Sequence, residues 1–121
     1  MYDWDTYYYY MGLIEECQSE KSQLIEKRNN YSSLRNGLNN VKATLDGALS
    51  SYNNLNNSIK SALLIDGKIP CEGELNGNKN TVQSVRNEID GTIGSVNNKI
   101  NDINNRINEL DGNISYYYQF I

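Results

Sequence analysis

Apolar residues recur along the first half of the chain at a seven-residue interval. From Tyr10, every seventh residue is Tyr10, Cys17, Leu24, Tyr31, Leu38, Leu45, Tyr52 and Ile59. Three residues after each comes a second line: Leu13, Glu20, Lys27, Leu34, Val41, Ala48, Leu55 and Ala62. It is apolar at both ends and polar in the middle. A heptad sustained over this length predicts a coiled-coil-like helix. Ile14, Leu49 and Leu63 widen its apolar face. The reading is one helix over about residues 4–63, with a bend open at Gly12, Gly37 or Gly47.

The second half repeats the rhythm more cleanly. Ile89, Val96, Ile103, Leu110 and Tyr117 form one line, and Ile93, Ile100, Ile107, Ile114 and Ile121 the other. Steps of four and three alternate without error, which a disordered segment would not keep. Upstream, Val82, Val85 and Ile89 run into Ile93 through two successive four-residue steps, which predicts one irregularity in packing. Asparagine fills many outward positions. It is a poor helix former, so this helix, about residues 77–120, depends on burying its isoleucines.

Between the helices, residues 64–76 hold the only proline, Pro70, and the turn dipeptide Asp66-Gly67. Ile69 precedes the proline and is biased away from helix. Leu64, Ile65 and Ile69 are read as folding back over the tip. The fold class predicted is all-α, a single domain over residues 1–121, with two long helices in an antiparallel coiled-coil-like hairpin. A turn near residue 69 sets Ile59 opposite the Val82 region, Leu38 opposite Ile100 and Ile103, and Leu24 near Ile114. Helix 1 before about residue 17 then overhangs.

That overhang and the end of the chain carry nearly all the aromatic content. Tyrosine and tryptophan suit interfaces because they bring large contact area with a polar handle. The candidate partner interface is Trp4, Tyr7, Tyr8, Tyr10, Met11, Ile14, Tyr116, Tyr117, Tyr118 and Phe120; the alternative is that these rings shield fraying helix ends. A two-helix hairpin buries one stripe per helix, so a four-helix arrangement with a partner, or with further copies of the chain, is expected.

Composition narrows the function classes. With 121 residues there is room for one domain. The chain carries net charge −4 and a pI near 4.7, with no basic stripe, so nucleic acid is not expected as a partner. No segment approaches the ~20 apolar residues of a membrane span, and Met1–Tyr10 does not read as a signal peptide. The chain has no histidine, which removes the commonest general base and zinc ligand. Cys17 and Cys71 lie too far apart in a hairpin for a disulfide. Cys17 reads as a small seam residue, and Cys71 as a free loop thiol, with an intermolecular bridge as the alternative. Glu15-Glu16 and Glu72/Glu74 read as solvated charge. No catalytic, cofactor or metal site is expected, and the protein reads as non-enzymatic.

The layout resembles the YwqH-like small helical proteins associated with LXG toxins of the type VII secretion system in Firmicutes. The residues that carry the likeness are the Tyr-rich start, the stretch Ser58-Ile59-Lys60-Ser61-Ala62-Leu63-Leu64-Ile65-Asp66-Gly67-Lys68 and the run from Ile100 to Leu110. The resemblance implies a targeting or stabilising chaperone that binds the helical N-terminal domain of an LXG-type toxin, with room for a second small helical protein. It also implies a cytoplasmic location with export beside the toxin. The chain departs from the related WXG hairpins: its only tryptophan, Trp4, is followed by Asp5-Thr6 and is not in the turn. No Tyr-x-x-x-Asp/Glu export signal follows helix 2. Two alternatives are a self-assembling structural coiled coil and a prefoldin-like holdase, the latter needing strands between its helices.

Overall fold

The computed structural model describes residues 3–62 and 72–121, the side chains of Lys60 and Ser61 excepted. Within them the chain is all-α. Helix α1 spans Trp4–Ala62 and helix α2 spans Glu72–Tyr118, and the two pack against each other as a hairpin. Helix α1 is assigned without a break through Gly12, Gly37 and Gly47. Helix α2 begins at Glu72, so residues 72–76 of the expected loop are helical. Glu72 and Glu74 stand in its first turn, where carboxylates complement the positive end of the helix dipole. The fold-back of Leu64, Ile65 and Ile69, the Asp66-Gly67 turn and Cys71 lie outside the described residues.

The helices divide into two compact units. The first joins Met1–Leu34 to Val96–Ile121, and the second is Arg35–Ser95.

In the first unit, α2 supplies most of the core. Val96, Ile100, Ile103, Ile107 and Leu110 are buried, and Ile14 is their buried counterpart on α1. These are the predicted lines of α2, kept in their four-three alternation. Burying each such side chain contributes about 1.5–3 kcal/mol. The α1 line from Tyr10 through Cys17 and Leu24 to Tyr31 also faces inward, half-buried.

The second inner line of α1 differs from the prediction. The line three residues on leaves Lys27, Leu34, Val41, Leu55 and Ala62 exposed. The inward line lies four residues on: Ile14, Lys21, Arg28, Arg35, Lys42, Leu49 and Asn56. Its cations lay their alkyl stems along the seam and carry their charged heads to its edge. In the first unit, Lys21 Nζ pairs with Asp111 Oδ1 at 2.6 Å, and Arg28 Nη1 donates to Asn104 Oδ1 at 2.9 Å. In the second, Lys42 Nζ pairs with Asp90 Oδ1 at 2.6 Å.

These pairs also correct the register. Leu24 lies between Lys21 and Arg28, so it stands abreast of the residues between Asn104 and Asp111, not of Ile114. In the second unit, Arg86 Nε donates to Asp46 Oδ1 at 3.0 Å, and Asn56 Nδ2 stands 3.5 Å from Asn76 Oδ1. Ile59 therefore lies short of Asn76 on α2 and not opposite Val82. Leu38, four residues before Lys42, sits four beyond Asp90 and not opposite Ile100 and Ile103. Matching apolar residues alone set the expected register; the cations and their carboxylate and amide partners set the actual one.

The packing irregularity expected near Val85 is absent. Inward positions on α2 run Leu75, Lys79, Val82, Arg86, Ile89 and Ile93 in regular steps, and Val85 is exposed. Arg86 holds the seam position that Val85 was read as filling, and its guanidinium leaves the seam to reach Asp46.

Candidate functional site

Helix α1 starts at an aspartate cap. Asp3 Oδ1 accepts from the backbone N–H groups of Asp5 and Thr6 at 3.1 and 3.3 Å. Thr6 Oγ1 donates to Asp3 Oδ2, and the Tyr7 N–H bonds to the Asp3 carbonyl at 3.1 Å. These bonds satisfy donors that the first helical turn leaves free. The Thr6 hydroxyl first, then its backbone N–H, holds the Asp3 carboxyl below its ordinary value.

The cap fixes the rings that follow. Trp4 lies edge-on to Tyr7 at 5.6 Å between centroids and is stacked on Tyr8 at 5.9 Å. Tyr7 and Tyr8 meet edge-on at 5.3 Å.

A second group joins the two helices. Tyr10 stacks on Phe120 at 4.7 Å with 15° between planes, and meets Tyr117 at 6.0 Å. Tyr116 contacts both Tyr117 and Phe120 edge-on, and Tyr9 contacts Tyr10. Phe120 reaches Tyr10 because α2 ends in a tight turn. The N–H groups of Gln119, Phe120 and Ile121 each bond to the carbonyl three residues back, the short-range pattern common at helix ends.

The overhang is therefore shorter than expected. Helix α2 reaches as far as Tyr10, and Ile14 is fully buried. Ile14 is corrected from an interface residue to a core residue, because a side chain with no exposed surface offers a partner nothing. Met11, Tyr7, Tyr10 and Tyr117 are half-buried and support the surface rather than form it. Trp4, Tyr8, Tyr116, Tyr118 and Phe120 remain exposed, from 42% for Phe120 to 66% for Tyr8. Tyr9, at 63%, belongs with them. Its position off both heptad lines of α1 turns it to solvent.

Charge near this end is held in local pairs. Arg106 makes a two-toothed contact to Glu20, Nε to Oε1 at 2.9 Å and Nη2 to Oε2 at 3.1 Å. Its Nη1 donates to Glu109 Oε2 at 3.0 Å. The Arg106 hydrogen bonds hold Glu20 below its ordinary value, and Glu20 and then Glu109 raise the guanidinium further. These exposed pairs orient side chains more than they stabilise the fold.

Cys17 is a half-buried free thiol. Among the described residues, no three of Asp, Glu or Cys come together as a metal site, and no helix is long and apolar enough to cross a membrane.

Fold and site together define a helical hairpin with an exposed aromatic end. No protein-family model, curated protein or solved structure matches the chain.

Proposed function

We propose that this chain is a non-enzymatic binding subunit whose aromatic end, formed by Trp4, Tyr8, Tyr9, Tyr116, Tyr118 and Phe120, docks a helical partner. The observation that carries the reading is the exposure of these six large rings on a firmly capped helix start and a tightly turned chain end. Exposed rings held by their neighbours, as Trp4, Tyr8, Tyr9, Tyr116 and Phe120 are, lose little conformational freedom on binding, so the apolar area they bury is retained as affinity. The resemblance to YwqH-like proteins makes the partner the helical N-terminal domain of an LXG-type toxin. The subunit then acts as a targeting chaperone for type VII secretion, resident in the cytoplasm until export.

Co-expression with an LXG-type N-terminal domain tests this, followed by mass measurement in light scattering. A defined heterocomplex is expected, and it should be lost when Trp4, Tyr8 and Tyr116 are changed together to serine. A chain whose mass is unchanged by the domain contradicts the proposal.

A further inference from the structure

Charge is divided unevenly along the chain. Residues 1–20 and 107–121, the aromatic end and its approach, hold seven carboxylates and no lysine or arginine. All eleven cations lie in residues 21–106. Four of the seven carboxylates are engaged within the first unit. Asp3 caps α1, Glu20 and Glu109 share Arg106, and Asp111 pairs with Lys21. Asp5, Glu15 and Glu16 are exposed, and none of them stands in an ion pair among the described residues.

These three carboxylates share helix faces with the exposed rings. Along α1, Trp4, Tyr8, Met11 and Glu15 follow at steps of four, three and four, and Asp5, Tyr9, Gly12 and Glu16 follow at the same steps. Residues so spaced line one side of a helix. Asp5 is one turn from Tyr9. Glu15 and Glu16 lie about 10 Å along the axis from Tyr8 and Tyr9, within the footprint of a docked helix. The rings act in the same sense as the carboxylates. The faces of tryptophan and tyrosine carry negative charge density and draw a lysine or arginine held over them. The surface therefore states the sign of what covers it. A nucleic acid, an anionic membrane, or this same end of a second copy would set like charge against Asp5, Glu15 and Glu16, which is unfavourable.

We propose that the aromatic end recognises a basic amphipathic helix, whose apolar stripe covers the rings and whose flanking lysines or arginines pair with Asp5, Glu15 and Glu16. The proposal rests on the reading of the aromatic end as a docking surface, and it adds the chemistry of the partner. Complementary charge at the rim of an interface selects the partner and speeds its approach.

The test uses the full chain and two amphipathic helical peptides of about 20 residues, long enough to hold a helix. Both lack tryptophan and tyrosine and carry the same leucine stripe; lysines flank it in one and glutamates in the other. Trp4 emission follows each titration. The lysine-flanked peptide should bind saturably and the glutamate-flanked one should not. Raising salt from about 0.1 M to about 1 M, where the screening length falls from ~10 Å to ~3 Å, should close the gap between them. Asp5→Asn/Glu15→Gln/Glu16→Gln should weaken the lysine-flanked peptide about tenfold, a few-fold for each exposed pair, with unchanged far-UV circular dichroism. Equal binding of the two peptides, lost in Tyr8→Ser/Tyr116→Ser, overturns the basic partner and leaves the docking surface standing. Binding of the lysine-flanked peptide that ignores those serines overturns both, since charge alone then holds it. If neither peptide moves the indole emission, the basic-helix assignment is wrong, and co-expression with the LXG-type domain decides the docking surface by itself.

Discussion

Leu34 and Leu110 both fall on heptad lines, and burial separates them. Leu110 is 1% exposed and Leu34 is 49% exposed. Leu110→Ala should cost about 2–5 kcal/mol through lost burial and a cavity. Leu34→Ala should stay within about 0.5 kcal/mol, as ordinary surface changes do. Urea unfolding followed by circular dichroism measures both. The sequence places these two leucines in equivalent patterns, so periodicity alone does not separate them. Acid has a predictable sign at this scale. Asp3, Glu20 and Asp90 are held below their ordinary values, Asp3 by Thr6, Glu20 by Arg106 and Asp90 by Lys42. A carboxyl lowered in the folded state adds stability above its unfolded value, and that contribution is lost as pH falls through the folded value. Stability should therefore be flat from neutral pH to about 5 and decline below about 4.5, where unfolded carboxyls begin to protonate. Thermal unfolding at stepped pH reads this, and a decline that begins near neutrality would contradict the assignment.

Helix α2 was legible from Ile89 onward because its inner lines there are almost pure isoleucine, valine and leucine, whereas upstream Arg86 takes the inward place expected of Val85. Helix α1 was legible in one inner line and misread in the other. The chosen line held Leu34, Val41 and Leu55, whereas the inward one holds Lys21, Arg28, Arg35 and Lys42. A search for apolar residues discards cations, yet long cationic side chains can line a seam and carry their charge to its rim. A signal was present: Asp90, Asn97, Asn104 and Asp111 recur on α2 at the same interval of seven. Two substitutions follow. Asn56 is half-buried in the seam, and its Oδ1 is buried without a hydrogen-bond partner. Asn56→Leu should stabilise the hairpin by roughly 1 kcal/mol, since it removes an unsatisfied polar atom. It should also loosen the register, a role that single seam asparagines hold in coiled coils. Gly112 lies within α2, and a Cβ added there would meet nothing within 4 Å. Gly112→Ala should therefore gain about 0.5–1 kcal/mol from helix propensity alone. Midpoints of chemical unfolding test both, and a loss at Gly112 would mean that something outside the hairpin packs on that face.

Among the described residues, most of the buried apolar side chains come from α2, while the inner lines of α1 stay half-exposed apart from Ile14. Two helices alone cover a seam from one side, so such a chain gains by further association. Composition pointed to this with ten tyrosines, one tryptophan and no histidine. It could not divide the rings between support and surface, because that depends on where α2 ends against α1. The most direct test uses the chain's one tryptophan, Trp4, which is 58% exposed and belongs to the proposed docking surface. Titrating an LXG-type helical domain lacking tryptophan into the chain, while following indole emission, reports on that surface alone. The account predicts a saturable blue shift as Trp4 leaves water, and its loss with Tyr8→Ser/Tyr116→Ser. Emission that stays at the wavelength of a solvated indole while light scattering shows a complex would contradict the aromatic end as the docking surface.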